Sequence, residues 1–309
     1  MPFTFSHPLY SVPLYRAAPK WLSVTGLLLG SMAPDLEYFA AMESYRTIGH
    51  SLTGFFVLGL PLCIGLAFAF HFVVKPVLPQ FIPSIWGLDR FVQSMTRARW
   101  EINSPKAWVG FLISLFIGFL THMFMDGWTH RSGTFVNEFP LLKEEYGGEG
   151  IYQWMQYGFS LLGLIVPALL LLARFKKWRQ ENRIEQRPEQ RAVPHVKALL
   201  WLCAVGMGVL LFLFKYYFSY DRLWLGIFIV APLTAALFGL YLSSLLYMSI
   251  QRGRLVLGAA FLVMYWFLIL LYKTAERTAG WSSETAIWLG YLLLLSILLL
   301  TASRICGKD

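Results

Sequence analysis

His122 and Asp126 are the residues whose types and spacing first indicate chemistry in this chain. They stand four residues apart in the largely apolar run 107–128, so a helix there would present an imidazole and a carboxylate on one face. Ionisable groups inside a membrane segment are costly and usually functional. The pair predicts half of a metal site; for an isolated pair, a polar contact between helices is an equal alternative.

Three further residues in the first fifty positions can complete such a site. Imidazoles and carboxylates from several elements hold a hard or borderline divalent ion while one position stays open for water. The predicted ligands are His7, Asp35, His50, His122 and Asp126. The ion would be zinc, with manganese or iron as alternatives. Taken singly, a surface histidine, a helix cap or an ordinary helix end would explain each of the first three.

The composition predicts the scaffold: 57% of residues are hydrophobic, 17% aromatic and only 14% charged, as in a polytopic membrane protein. We predict an all-α bundle of transmembrane helices with about seven spans. The spans are 51–74, 107–128, 151–173, 198–218, 223–247, 255–272 and 286–303. The apolar stretch 21–32 would reach only about 18 Å as a helix, so we expect it to lie in the membrane interface or to be re-entrant.

The distribution of lysine and arginine along the chain predicts its orientation in the membrane. The formal charge of +9 comes from basic residues that cluster in certain loops, which is typical of topology determinants and gives no support to nucleic-acid binding. Segments 75–106, 174–197, 248–254 and 304–309 hold 17 lysines and arginines, against eight at most in the alternate segments. We therefore expect a protein of the cytoplasmic membrane, with its C-terminus in the cytoplasm and the metal site facing outward.

The basic segment 174–197 also divides the chain. We expect a membrane half at 1–173 that carries the site, a cytoplasmic linker at 174–197, and a four-span membrane region at 198–309. The partners that these features predict are the lipid bilayer and a lipid-like substrate.

Four separated motifs in residues 1–145 carry a resemblance: FSHP, GSMAPDLEYF, YRTIGHSL and THMFMDGWTHRSG, followed by Pro140. Their order resembles the bacterial family catalogued as domain of unknown function 4184. It is also similar to the membrane-bound metal-dependent hydrolases, whose pattern is His, Pro-Asp-x-Asp, Arg-x-x-His-Ser and His-x3-Asp. The chain departs from that pattern in two places, because Arg46 precedes His50 by four residues and Glu37 replaces the second Asp.

A more distant likeness is to zinc-dependent phospholipase C, an all-helical soluble enzyme with an Asp, a His and a later His-x3-Asp pair in the same order. It would imply a second, weaker metal position at His7 and Asp126. That enzyme has a further His-x3-Glu pair, and residues 151–173 contain neither His nor Glu, so a three-metal site is not expected.

Three residues are candidates for catalysis beside the metal. Glu37 would be a ligand or a general base. His130 would be a ligand or an acid for the leaving group, with a solvated side chain as the simpler interpretation. Arg46 could hold a phosphate oxygen or act as an interfacial anchor.

The function that these residues predict is metal-dependent hydrolysis at the outer membrane surface, with a lipid-linked phosphoester as substrate. Two alternatives remain open. One is a transporter, which would need polar groups near mid-membrane, where residues 198–303 offer few. The other is a structural metal in a protein without catalysis, which would be closed by protein ligands.

Overall fold

The chain folds into helices, as its composition predicts. The computed structural model describes residues 3–42, 48–182, 194–218, 226–278 and 284–307, and it is 85% helical, which confirms the all-α class. The α-helices are α1 Pro8–Ser11, α2 Val24–Met32, α3 Leu36–Ala41, α4 Leu52–Gly54, α5 Leu60–Phe68, α6 Lys75–Phe81, α7 Leu88–Thr96, α8 Pro105–Thr129, α9 Thr134–Glu138, α10 Ile151–Glu181, α11 Pro194–Phe218, α12 Ala231–Gln251, α13 Leu255–Thr278 and α14 Glu284–Gly307.

Shorter turns complete these helices. The 3-10 turns are Thr4–Ser6, Val12–Ala17, Ala33–Asp35, Ile85–Gly87 and Pro140–Lys143. The π-helical turns are Phe55–Gly59, Ala69–Val74 and Gly226–Val230. Two short strands, β1 Glu145–Tyr146 and β2 Glu149–Gly150, pair antiparallel.

Seven helices in the described part of the chain are long and apolar enough to cross a membrane, which confirms the predicted number. They are Leu52–Phe81, Pro105–Glu138, Ile151–Glu181, His195–Phe218, Phe228–Gln251, Leu255–Glu276 and Glu284–Gly307. Residues 223–225 of the predicted fifth span lie outside the described residues. The protein is therefore a multi-span membrane protein, and its short helix α2 precedes the first span.

The chain forms two compact units. The first contains Met1–Asp35, Ile48–Phe55 and Glu101–Lys176, and the second contains Leu36–Thr47, Phe56–Trp100 and Lys177–Asp309. The division of the sequence at 174–197 stays a prediction; α10 continues to Glu181 within that segment, and residues 183–193 lie outside the described residues.

In the first unit, α2 packs directly on α8 through glycines. A Cβ on Gly26 would lie 2.6 Å from the Ser114 Cβ, and one on Gly30 would overlap the carbonyl oxygen of Leu115. On α8, a Cβ on Gly118 would lie 2.5 Å from the Leu27 carbonyl oxygen. Small residues spaced by four let two helix backbones approach closely in a membrane, so this contact fixes the end of α2 against the middle of α8.

The N-terminal segment is held against α10. The Phe3 amide donates to Ser160 Oγ at 2.9 Å, and the Tyr10 hydroxyl donates to the Phe159 carbonyl at 2.7 Å. A Cβ on Gly163 would overlap Ser6, so the segment lies directly on the helix surface. These contacts bury His7, which lies between the first 3-10 turn and α1.

The second unit contains α11 to α14, the end of α10 from Lys177, and the described residues of the segments 36–47 and 56–100. One apolar core contains Val77, Phe81, Leu200, Ala204 and Met248, and another contains Met42, Leu211, Ala231 and Ala235. Two buried hydroxyls pair here, those of Tyr241 and Tyr265, with 2.9 Å between their oxygens.

Candidate metal centre

The predicted ligand residues lie in the first unit and come from four elements. The turn that precedes α1 carries His7, the 3-10 turn after α2 carries Asp35, and the C-terminal half of α8 carries His122 and Asp126. His50 lies in the turn before α4, where the Ser51 amide donates to the Ile48 carbonyl at 2.9 Å. The fold therefore joins residues separated by up to 119 positions in the sequence.

Four of these side chains point their ligand atoms at one another. His50 Nε2 lies 3.4 Å from Asp35 Oδ1 and 3.5 Å from Asp126 Oδ2. His122 Nε2 lies 3.8 Å from Asp35 Oδ1 and 3.3 Å from Asp126 Oδ2. Ligands bound to a tetrahedral ion at about 2.0–2.1 Å lie about 3.3–3.4 Å apart, so the set is close to the spacing that a zinc-sized ion requires.

His7 is the fifth candidate ligand and the third imidazole, and it lies beside the other oxygen of the Asp126 carboxylate. Its Nε2 lies 3.9 Å from Asp126 Oδ1, and its ring stacks on His122 with 3.9 Å between centroids. Two overlapping groups could each hold a metal ion, His7 with His122 and Asp126, and Asp35 with His50 and His122. Because each imidazole Nε2 has one lone pair, His122 can serve only one ion at a time.

Several of the ligand atoms in this cluster form no hydrogen bond within the part of the chain that the structure describes. The buried atoms His7 Nε2, Asp35 Oδ1, His122 Nε2 and both carboxylate oxygens of Asp126 form no hydrogen bond among the described residues. An unsatisfied buried polar group costs roughly 1–3 kcal/mol. Several such atoms in one place are therefore expected only where a ligand completes them, and a divalent cation fits because all of these atoms offer lone pairs.

Two ligand side chains are oriented by a hydrogen bond to a neighbouring group, made by the atom that does not face the site. His122 Nδ1 lies 2.7 Å from the Ser31 carbonyl oxygen, which accepts the Nδ1 proton and leaves Nε2 with its lone pair toward the site. The Thr4 hydroxyl donates to Asp35 Oδ2 at 2.7 Å, which leaves Oδ1 toward the site. The sequence pattern does not mark Thr4 or Ser31 as functional residues, although Ser31 follows Gly30 in the spaced glycine pair that brings α2 onto α8.

Burial and neighbouring charges shift the pKa values of the three candidate ligands that lie outside the membrane spans. Burial, aided by His122, lowers the pKa of His7 to about 3, so this imidazole is neutral at pH 7. Burial opposes ionisation of Asp35, but His122 and His50 outweigh it and lower the pKa of that carboxyl. Burial likewise opposes protonation of His50, but Asp126 and Asp35 outweigh it and raise the pKa of that imidazole.

The three predicted catalytic residues have different positions. His130 caps the end of α8 with Nδ1 3.6 Å from Asp126 Oδ1, and its side chain is 20% exposed. Glu37 is buried on α3 in the second unit and is outside both ligand groups. Arg46 lies outside the described residues. The roles of all three stay predictions.

Comparison with known proteins assigns a family. A family model described as Domain of unknown function (DUF4184) matches residues 1–249, a stretch that contains all five candidate ligands. No curated protein matches the chain, and no solved structure matches it.

Proposed function

We propose, for a chain that belongs to the DUF4184 family, a function in metal-dependent hydrolysis at the membrane surface. The observation that carries the proposal is the convergence of four ligand atoms, from Asp35, His50, His122 and Asp126, at separations of 3.3–3.8 Å. Two carboxylates and two imidazoles are a ligand set that zinc, manganese and iron accept.

When bound, such an ion supplies Lewis acidity and an activated water at neutral pH. The protein's part is to hold the four ligands rigidly, since Ser31 and Thr4 orient two of them. His130 is placed 3.6 Å from Asp126 and is partly exposed, so we assign it the proton that a leaving group requires. Arg46 stays our candidate for holding a phosphate oxygen.

The substrate that we propose is a lipid-linked phosphoester. His50 lies two residues before the first span, and Asp126 lies in the last turns of α8. The ends of membrane-spanning helices lie at the depth of lipid headgroups, which supports an amphiphilic substrate whose headgroup enters the site from the bilayer. The excess of basic residues in alternate segments supports an outward-facing site.

The test combines metal content with hydrolysis. Detergent-purified protein loaded with zinc, manganese or iron would be offered a panel of phospholipids, glycolipid phosphates and polyprenyl phosphates, with product release followed by mass spectrometry. We expect metal-dependent release by the wild type and none by Asp126→Asn, while Glu181→Gln, an exposed carboxylate on α10, keeps the activity. Fully loaded wild-type protein that hydrolyses none of these substrates would remove the support for a hydrolase.

A separate experiment tests which side of the membrane the site faces. Reporter fusions placed in the segments 129–150 and 174–197 would report opposite sides of the membrane, with the first segment outside. A cytoplasmic reporter signal from 129–150 would contradict the outward-facing site without bearing on metal binding.

A structural metal is the second candidate function, and burial favours it. The side chains of His7, Asp35 and His122 are at most 1% exposed, and a metal closed by protein ligands needs no path for a substrate. X-ray absorption spectroscopy of the loaded protein distinguishes the two. A first shell with an exchangeable oxygen ligand favours hydrolysis, whereas a shell filled by protein atoms favours the structural role.

A further inference from the structure

Within the first unit, residues 8–32 form a hairpin that reaches the start of α8 and returns along it. At the far end of this hairpin, the carbonyl oxygen of Trp21 lies 2.5 Å from where a Cβ on Gly110 would stand. Gly110 is about 7.5 Å along the helix from Pro105, the first residue of α8. The tip of the hairpin, residues 16–22, therefore lies beside the first turns of a helix that is long enough to cross a membrane.

This tip exposes a tryptophan together with cationic side chains. Trp21 is 65% exposed, and Arg16 and Lys20 are exposed as well. A third exposed cation comes from α8, because Lys106 Nζ lies 4.6 Å from the centre of the Trp21 ring. A cation over an aromatic ring still has its N–H donors for an anion. Two separate elements therefore bring cations to the surface around Trp21.

The charge at this end of the first unit is positive. The segments 8–32 and 101–121 contain three lysines and arginines, Arg16, Lys20 and Lys106, and one carboxylate, Glu101. Within the part of the chain that the structure describes, none of the three cations forms an ion pair. Their charge is therefore available to an anion from outside the chain.

The segment at the other end of α8 has the opposite balance of charge. Residues 129–150 contain four carboxylates, Glu138, Glu144, Glu145 and Glu149, and two basic residues, Arg131 and Lys143. Positive charge is thus concentrated at the start of α8, which makes that end the one that complements an anionic surface.

Lys106 occupies a position that is unfavourable for the helix alone. It is the second residue of α8, after the N-cap Ser104 and Pro105, and the first turn contains no acidic residue. The N-terminal turn of a helix carries partial positive charge, so a cation there lowers the stability of the helix. An anion bound at this surface would offset that cost.

The start of α8 lies at the depth of lipid headgroups, because the candidate span Pro105–Glu138 begins there. Tryptophan is enriched at this depth, where its apolar ring and its N–H donor are both accommodated. The distribution of basic residues predicts a cytoplasmic position for the preceding segment 75–106. The cytoplasmic leaflet carries anionic lipids that attract basic side chains, so the occupant that fits is an anionic lipid headgroup.

We propose that Arg16, Lys20, Trp21 and Lys106 form a binding site for the headgroup of an anionic phospholipid, in the leaflet that the start of α8 reaches. Lysine and arginine donate charge-assisted hydrogen bonds to phosphate oxygens. The site contains none of the candidate metal ligands, and it does not rest on the proposed hydrolysis.

Native mass spectrometry of the detergent-purified full chain tests the site, with phosphatidylglycerol and phosphatidylcholine of identical acyl chains as probes. We expect wild-type protein to retain the anionic lipid preferentially. The double variant Arg16→Gln with Lys20→Gln should lose about fivefold in relative affinity for each cation removed. The matched control is Arg131→Gln with Lys143→Gln, in the acidic segment 129–150, which should keep the preference. Equal preference in the double variant and the wild type, or an equal loss in the control, would overturn the proposal.

A second variant separates lipid binding from folding. Lys106→Gln removes the cation from the first turn of α8, so we expect an unchanged or higher unfolding temperature in lipid-free detergent together with a weaker preference for phosphatidylglycerol. An unchanged preference in this folded variant would contradict the role of Lys106. Inorganic phosphate is the competing probe. Displacement of phosphatidylglycerol by millimolar phosphate would show a general anion site and overturn the assignment to lipid.

Discussion

The two compact units treat their buried polar groups differently. In the second unit the buried hydroxyls of Tyr241 and Tyr265 pair with each other at 2.9 Å, whereas the buried Trp288 Nε1 forms no hydrogen bond among the described residues. In the first unit, lone-pair atoms of four buried residues converge without hydrogen bonds among the described residues. A polar group inside a membrane protein needs a partner, and the converging lone-pair atoms of the first unit could hold a metal ion.

The largest effect should follow from removing a ligand in the first unit. We expect His122→Ala and Asp35→Ala each to reduce bound metal from about one ion per chain to less than about a tenth after matched dialysis, because each leaves an incomplete ligand set. Elemental analysis of folded, detergent-purified protein measures this. The matched control is His195→Ala, an exposed histidine at the start of α11, which should keep its metal. Full metal content in both ligand variants would remove the contrast between the units.

Residue type and order in the sequence identify all five candidate ligands, and their role in metal binding stays a prediction. Hydropathy also predicted the seven spans, because each must cover the same hydrocarbon thickness. Helix ends were less predictable. The apolar run predicts a third span that ends at 173, but α10 continues to Glu181, since hydropathy reports the depth of lipid and a helix can continue beyond it.

The orienting neighbours of the ligands were not predictable in the same way. Ser31 acts through its backbone carbonyl, which has no residue-specific signature, and Thr4 acts only because the N-terminal segment folds back near the end of α2. Both depend on the close approach of backbones. The spacing of Gly26 and Gly30 indicates such an approach but does not say which helix is the partner.

The next largest effect should follow from disturbing the close packing of α2 on α8 in the first unit. In Gly30→Ala the new Cβ would overlap the Leu115 carbonyl oxygen, and relief would shift α2 and with it the Ser31 carbonyl. We expect a loss of roughly 1–3 kcal/mol in stability together with weaker metal binding, measured by thermal unfolding and by metal titration. Gly206→Ala in α11, where nothing lies within 4 Å of the new Cβ, should be neutral or stabilising. Equal effects in the two variants would show that α2 does not position the site.

Loss of an orienting hydrogen bond should have a smaller effect that is confined to metal affinity. Thr4→Val keeps the side-chain shape but removes the donor to Asp35 Oδ2, so we expect about 10-fold to 100-fold weaker metal binding. Competition with a chelator of known affinity measures the change. Thr301→Val, which removes a hydrogen bond to the Ile297 carbonyl within α14, is the control and should bind metal as the wild type does. Unchanged affinity in Thr4→Val would mean that Asp35 needs no orientation.

The reverse outcome is expected for the paired hydroxyls of the second unit. Tyr241→Phe leaves the Tyr265 hydroxyl without this partner, so we expect a loss of about 1 kcal/mol in stability with metal content unchanged. Thermal unfolding and elemental analysis of the same sample measure both quantities. Tyr217→Phe, at a side chain that is 85% exposed, should change neither. A loss of metal in Tyr241→Phe would contradict the assignment of metal binding to residues of the first unit alone.

The smallest effect concerns an ion pair of the second unit outside the spans and depends on pH. Burial opposes ionisation of Asp89, but hydrogen bonds from Ser84 and Lys197 outweigh it and lower the pKa of the carboxyl. A carboxyl whose pKa is lower in the folded than in the unfolded state stabilises the fold above its unfolded pKa of about 3.9, and this stabilisation is lost as pH falls through the folded pKa. We therefore expect Asp89→Asn to reduce the free energy of unfolding at pH 7 by about 1 kcal/mol or less, which thermal unfolding would show as a slightly lower unfolding temperature. The difference in stability between the variant and the wild type should shrink as the pH falls below about 4. A difference that stays constant between pH 7 and pH 3 would mean that the amide disturbs packing and that the charge of Asp89 contributes nothing.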